Sequence, residues 1–225
     1  MTQEREFKVQ LTEEGAQRLE QLLGPPARTV FQRNHYLDTP DGLLRTHHYG
    51  LRLREESLGP RPTSDRRFIL TLKGPSITSG ALVERLEEEI ELNGSTAQRI
   101  LEEGLDPRGA RLDLLGTMAD RFGMHWVACL GCVTNERRVF LVRLTDREEP
   151  HELELDRTLF PDGSVGYEAE LELPPGPKAE VELPPGPPAE IEEQALRELL
   201  ASAGLPWTPS RSGKYTRFLQ CRGQA

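Results

Sequence analysis

Glu4-Arg5-Glu6-Phe7-Lys8 lies near the start of a 225-residue chain and decides how the rest is read. In an extended strand successive side chains point to opposite faces, so Glu4, Glu6 and Lys8 line one wall about 6.6 Å apart. Two carboxylates and an ammonium make a poor dry core, because burying unpaired charge is costly. They suit a surface that holds a hard cation beside an anion.

The alternation returns along the chain. Arg52 and Arg54 share one face of Leu51-Arg52-Leu53-Arg54 and the leucines the other. Thr71 and Lys73 face away from Leu70 and Leu72. Arg85, Glu87, Glu89 and Glu91 share a parity, as do Glu152, Glu154 and Asp156, and again Glu168, Glu170 and Glu172. Any one of these reads as the solvated face of an ordinary sheet. Together they ask for a closed barrel, with the charged faces inward around an ionic ligand and the apolar faces covered by helices outside.

The ordered series resembles the CYTH superfamily, the triphosphate tunnel metalloenzymes. Glu4-Arg5-Glu6-Phe7-Lys8 matches its E-x-E-x-K signature, and Arg33-Asn34-His35-Tyr36-Leu37-Asp38-Thr39-Pro40 resembles its N-x-Y-x-D-T-P strand end. The L-R-L-R and L-x-L-K strands follow. Asn135 to Phe140, Leu153 to Asp156, Tyr167 to Glu172 and Ser212-Gly213-Lys214-Tyr215 complete the set. The likeness runs from Glu4 to about Phe218 and is strongest to the plant-type tripolyphosphatases. It implies a β-dominated α+β fold: a closed eight-stranded antiparallel barrel with a charged interior, spanning residues 1–225 as one domain.

Composition agrees. A formal net charge of −9 argues against a general nucleic-acid binder, whose phosphate contacts demand a basic surface, yet leaves room for a local basic pocket. No stretch is long and apolar enough to span a membrane and the chain opens on a charged strand, so a cytoplasmic protein is expected. Cys129-Leu130-Gly131-Cys132 has redox or zinc spacing, but no second pair or nearby histidines complete a tetrahedral set. Two buried structural thiols are expected there. His47-His48 is expected on a short exposed helix, and no histidine is assigned to catalysis.

Thr12 can cap a helix over Glu13 to Leu23, ended by Gly24-Pro25-Pro26. Strands are expected from about Thr29 to Leu37, around Arg52, and from Arg67 to Lys73, with a loop over 58–65. Ser95 opens a helical region reaching about Phe122, broken at Gly104 and Pro107. Val127 to Thr134 and Arg137 to Leu144 form two strands or one long one; strands at Glu152 to Arg157 and Tyr167 to Leu173 and a helix from Ala189 to Ala203 follow. The Pro-rich run from Glu172 is nearly duplicated from Glu182, which reads as a duplicated loop because proline removes a ladder donor. Glu180-Val181-Glu182 is the alternative to Glu170-Leu171-Glu172 as the tunnel segment.

A triphosphate needs several cations. The candidates are Lys8, Arg52, Arg54, Lys73, Lys214 and one of Arg137 or Arg138, since these two have opposite parity. Glu4, Glu6, Glu168, Glu170 and Glu172 are the candidate ligands of one or two Mg²⁺ or Mn²⁺ ions, joined by Asp156 and by Glu87, for which Glu88 or Glu89 substitutes if the register slips. Tyr36 and Asp38 are read as shaping a strand end. The resemblance implies metal-assisted cleavage of a terminal phosphoanhydride without a covalent enzyme intermediate, with Glu168, Glu170, Glu172 and Lys8 at the reacting centre. Inorganic tripolyphosphate is the expected substrate. The alternatives are thiamine or nucleoside triphosphates, a class IV adenylyl cyclase making cyclic AMP from ATP, and a non-catalytic polyphosphate-binding module.

Overall fold

The computed structural model describes residues 2–59, 66–144, 150–174 and 189–223. Eight strands form the barrel: β1 (Thr2–Leu11), β2 (Arg28–Asp38), β3 (Gly50–Ser57), β4 (Arg67–Ser79), β5 (Leu82–Leu92), β6 (Ala128–Val142), β7 (His151–Leu159) and β8 (Val165–Glu172). Their order around it is β1-β5-β4-β3-β2-β6-β7-β8, with β8 pairing back onto β1. Every neighbouring pair is antiparallel. The two stretches of Val127 to Leu144 form one long strand, β6. Directly opposed residues of an antiparallel pair share a face, so the register stacks charge on charge: Glu4 opposite Arg85, Lys73 opposite Glu87, Lys8 opposite Glu170, Arg137 opposite Asp156, Asp156 opposite Glu168.

Two apolar clusters coat the outside. One joins Phe7, Val9, Leu153, Leu155, Ala169 and Leu171 to Leu19 of α1 (Glu13–Leu23) and to Leu196 and Leu200 of α5 (Glu190–Ser202). The other joins Leu37, Leu51, Leu53, Leu70 and Leu72 to Ile100 of α3 (Gly94–Glu103) and to Leu115 and Met118 of α4 (Asp113–Phe122). The barrel core thus lies between sheet and helices, which frees the lumen for polar side chains. Thr12 caps α1 as expected, accepting from the Gly15 amide at 3.0 Å. In α3 the cap is Asn93, which accepts from Thr96 N at 2.8 Å; Ser95 lies inside the first turn.

The sequence reading contains no helix at the C-terminal end, where α6 (Lys214–Cys221) forms. Phe218 and Leu219 of α6 pack with Tyr36, Val133 and Phe160. Gly131, at a β6 bulge opposite Tyr36 and Leu37, has no side chain to obstruct this: a Cβ there would stand 3.2 Å from the Phe218 ring. Upstream, Gln10 N donates to Thr208 O at 2.8 Å and Ser210 N to Lys8 O at 2.9 Å. This pairing with β1 delivers Lys214 to the lumen. The short α2 (Leu43–Thr46) ends before His47 and His48, so neither histidine is helical. The loop over 58–65 lies mostly outside the described residues, as does Glu180-Val181-Glu182, while Glu170-Leu171-Glu172 occupies β8.

Candidate active site

The lumen holds a cavity of about 740 Å³ lined by side chains of β1 through β6, β8 and α6. On one wall Glu4 bridges Lys73 (2.7 Å) and Arg85 (2.5 Å). Glu87 meets the same lysine at 3.1 Å, and Glu6 meets Arg85 at 3.2 Å. Lys8 lies between Glu6 and Glu170, 3.0 Å from each, and links this wall to the next.

The second wall is denser. Lys214 reaches Asp156 (2.8 Å), Glu170 (2.7 Å) and Glu168 (3.1 Å). Arg137 reaches Asp156 (2.6 Å), Glu170 (2.7 Å) and Glu154. Asn135 donates to Asp156 at 2.9 Å and accepts from Thr158 at 2.7 Å, and Ser210 donates to Glu168 at 2.7 Å. Arg54 sits against Glu56 at 3.0 Å. Arg52 stands apart, for among the described residues its guanidinium pairs with no carboxylate and its Nε is buried without a hydrogen-bond partner.

Charge and burial set the protonation states together. Burial opposes ionisation of Glu4, but Lys73 and Arg85 overcome it and hold its carboxyl far below the usual range. The same contest leaves Glu170 and Asp156 low, through Lys214, Lys8 and Arg137 for the first and Arg137 and Lys214 for the second. Burial alone would lower Lys8 and Lys214; their carboxylate neighbours raise both. Glu154 is the exception: burial pushes it up to about 8 against the pull of Arg137, and Asp156 and Glu170 add to the rise. Burial also raises Glu87 despite Lys73.

The donor set suits a hard divalent cation, since it consists of carboxylate oxygens, and Glu168 Oε2 is buried with the Lys214 ammonium 3.1 Å away. Glu4, Glu6, Glu168, Glu170 and Glu172 are the residues that would hold it. Among the described residues no three acidic, histidine or cysteine side chains converge as a ready-made metal cage. Glu4, Glu6, Glu168 and Glu170 are engaged by cations instead.

The CYTH domain model matches residues 2–203. The chain belongs to the CYTH family. Its fold is shared with HpAC1 from Hippeastrum, named for adenylyl cyclase and reported to have a dominant triphosphatase activity: TM-score 0.76 at 23% identity, covering 96% of this chain and 95% of the other. A Bacillus halodurans protein named for adenylate cyclase gives a TM-score of 0.66 at 24% identity, covering 97% and 99%. PH1819 of Pyrococcus horikoshii gives 0.57 at 18%, covering 96% and 98%. No curated protein sequence matches the chain.

Within this CYTH barrel Glu4, Glu6, Lys8, Arg52, Arg54, Lys73, Glu87, Arg137, Glu170, Glu172 and Lys214 line one cavity. Asp156 and Glu168 are tied to it through Lys214. Arg138 is the correction: it sits on the outer face, bonded to Glu136 at 2.7 Å and to Glu20 of α1. The parity that turns Arg137 inward turns its neighbour out. Glu88 also faces out, where its carboxylate accepts from Asp113 N (3.1 Å) and Leu114 N (3.0 Å) and caps α4, whereas Glu87 and Glu89 both line the cavity. Glu152 shares the inward parity but sits at a strand end, paired with Arg28 in solvent. Asp38 accepts from the amides of Thr39, Leu44 and Arg45, a structural task, while the Tyr36 ring packs at a tilt against Tyr215, centroids 4.8 Å apart.

Sequence reasoning left Arg85 out of the candidate cations although it shares the parity of Glu87, which was signal enough. It also missed Ser210 and the rim residues Arg45, His48 and Tyr49, which line the cavity from loops and a helix where alternation says nothing. His47 instead stacks on Phe122 at 3.7 Å. The three cysteines are free and, contrary to the expectation of buried thiols at Cys129 and Cys132, only partly buried; burial still pushes the Cys129 thiol up, which leaves it a poor nucleophile.

Proposed function

We propose that this protein is a cytoplasmic, Mg²⁺- or Mn²⁺-dependent hydrolase that cleaves the terminal phosphoanhydride of inorganic tripolyphosphate to pyrophosphate and orthophosphate. The observation that carries the reading is Arg52: a guanidinium lining a cavity with no carboxylate of its own among the described residues, beside Arg54 and one strand from Lys73, invites a dense anion. The reported triphosphatase activity of the Hippeastrum protein supports it.

In this reading Arg52, Arg54, Lys73, Arg137 and Lys214 hold and orient the phosphates, joined by Arg85. Glu4 and Glu6, with Glu168, Glu170 and Glu172, hold the divalent ion, with Asp156 and Glu87 adjoining. When bound, that ion screens phosphate charge and lowers the pKa of water. Glu168, Glu170 and Glu172 orient the attacking water and take its proton as its oxygen bonds to the terminal phosphorus. Lys8 offsets the charge that gathers as the bridging P–O bond breaks and pyrophosphate leaves. No serine or cysteine nucleophile is required.

A second reading has an organic triphosphate as substrate, ATP or thiamine triphosphate, because Tyr49, Arg45 and His48 at the rim give room and contacts beyond three phosphates. Product analysis with purified protein, Mg²⁺ or Mn²⁺ and each triphosphate in parallel separates the two. Orthophosphate chiefly from tripolyphosphate upholds the first; cyclic AMP from ATP moves the protein to the cyclase branch; binding without product leaves a sensor.

A further inference from the structure

Gly166, Glu168 and Glu170 alternate along the inner face of β8, and each meets the segment that leads into α6. Glu170 and Glu168 hold Lys214 at 2.7 and 3.1 Å. The other oxygen of Glu168 accepts from Ser210 Oγ at 2.7 Å, so one buried carboxylate is held between a hydroxyl and an ammonium. Ser210 is itself buried, and its amide donates to Lys8 O at 2.9 Å. Arg217 lies one turn after Lys214, on the same side of α6. Its guanidinium rests over the Phe160 ring, 4.4 Å from the centroid, and fills the space that Gly166 leaves open: a Cβ there would stand 2.1 Å from Arg217 Nη2.

Lysine carries its charge on a flexible four-carbon stem, and Lys214 opens a helix of eight residues whose N-cap, Gly213, offers no side chain. So short a helix is not stable by itself and takes its place from what it docks on. We propose that Ser210 and Arg217 are positioning residues for Lys214: Ser210 orients Glu168 against the ammonium, and Arg217 seats α6 in the notch at Gly166. This rests on the reading of the tunnel as a triphosphate site with Lys214 among the cations that hold the phosphates. Among the described residues lining the cavity neither Ser210 nor Arg217 appears, so each acts on turnover through a neighbour. Gly166 does not have the left-handed backbone that would forbid a side chain, and the atoms a new Cβ would meet are the end of a flexible arginine, so Gly166→Ala displaces Arg217 without touching the lumen.

The test is tripolyphosphate turnover by the full chain in Mg²⁺, read as double-mutant cycles. Ser210→Ala and Arg217→Ala are each expected to lower kcat/KM by roughly ten- to a hundredfold, the cost of a charge misplaced by about 1 Å. Ser210→Thr keeps the hydroxyl and is expected to restore most of the loss. In a Lys214→Ala background the same alanine changes are expected to cost less than about twofold, because residues that act through one group are not additive with it. Gly166→Ala is expected to match Arg217→Ala and to add nothing to it, and this pair carries the test if Lys214→Ala does not fold. Where wild type binds without turnover, the same cycles are read as affinity for imidotriphosphate, a non-hydrolysable analogue. Wild-type values in both alanine variants, losses that persist in full without Lys214, or additive losses from Gly166→Ala and Arg217→Ala overturn the proposal while the triphosphate reading stands. Neither turnover nor analogue binding by wild type removes that reading, and the proposal with it.

Discussion

The two walls of the tunnel carry the same residue types and do different things with them. On the wall of β1, β4 and β5 the side chains of Glu4, Lys73, Arg85 and Glu87 keep 12–19% of their surface, and among the described residues no cation there has more than two carboxylate partners. On the wall of β6, β7, β8 and α6 the carboxylates are drier, with Asp156 at 0% and Glu168 and Glu170 at 2% and 4%, while Arg137 and Lys214, at 14% and 12%, each touch three carboxylates. A pair in which both members keep some contact with water can exchange a partner for a ligand at less cost than desolvated carboxylates shared between two cations. The first wall is therefore built to trade partners and the second to hold its shape.

Breaking the second wall should give the largest effect. Asp156→Asn removes a charge shared by Arg137 and Lys214, and we expect a loss of roughly 3 kcal/mol, the low end for a buried pair because Glu170 still serves both cations. Thermal unfolding should then fall by about 10 °C. Lys73→Ala on the open wall should behave the other way round. It should lower the apparent affinity for metal-complexed tripolyphosphate by about tenfold, the worth of one charge-assisted contact, with a melting shift of at most a few degrees. Equal melting losses in the two variants would erase the distinction between the walls.

The protonation of Glu154 sharpens the same contrast. Its carboxyl is raised from the usual 4.5 to about 8, so the folded state keeps a proton that the unfolded chain has released. Between those values folding stability must fall as pH rises, because the folded state binds more protons than the unfolded one. Urea melts of wild type and Glu154→Gln across that window should show the extra decline in wild type alone. The smallest effects belong outside the lumen. Arg138→Ala breaks half-exposed pairs and should cost at most about 1 kcal/mol, with tripolyphosphate turnover unchanged. Serine at both Cys129 and Cys132 should likewise leave turnover intact.

Strand alternation made the barrel legible, because a side-chain period of two is enforced wherever one face of a sheet is buried. The same rule separates Arg137 from Arg138 only once the register is known, and register is set by pairing partners that a single strand does not display. Glu88 shows the limit well. Its outward parity was readable, but its task of capping α4 arises from a contact between residues 25 apart. The helix α6 had a readable signal in Tyr215, Phe218 and Leu219 at helical spacing, and was overlooked because it is eight residues long and has no side-chain cap. Ser210 was illegible in principle, since it meets Glu168 only through the segment that pairs with β1.

The central claim is that Glu6 and its neighbours support metal-dependent turnover of tripolyphosphate in this tunnel. Phosphorus NMR of tripolyphosphate with Mg²⁺, comparing wild type with Glu6→Gln, tests it most directly. The account predicts pyrophosphate and orthophosphate growing in equal amounts with wild type and almost none with the variant, at similar folded content by circular dichroism. Equal turnover by both proteins, or no turnover by wild type with either Mg²⁺ or Mn²⁺, would contradict it.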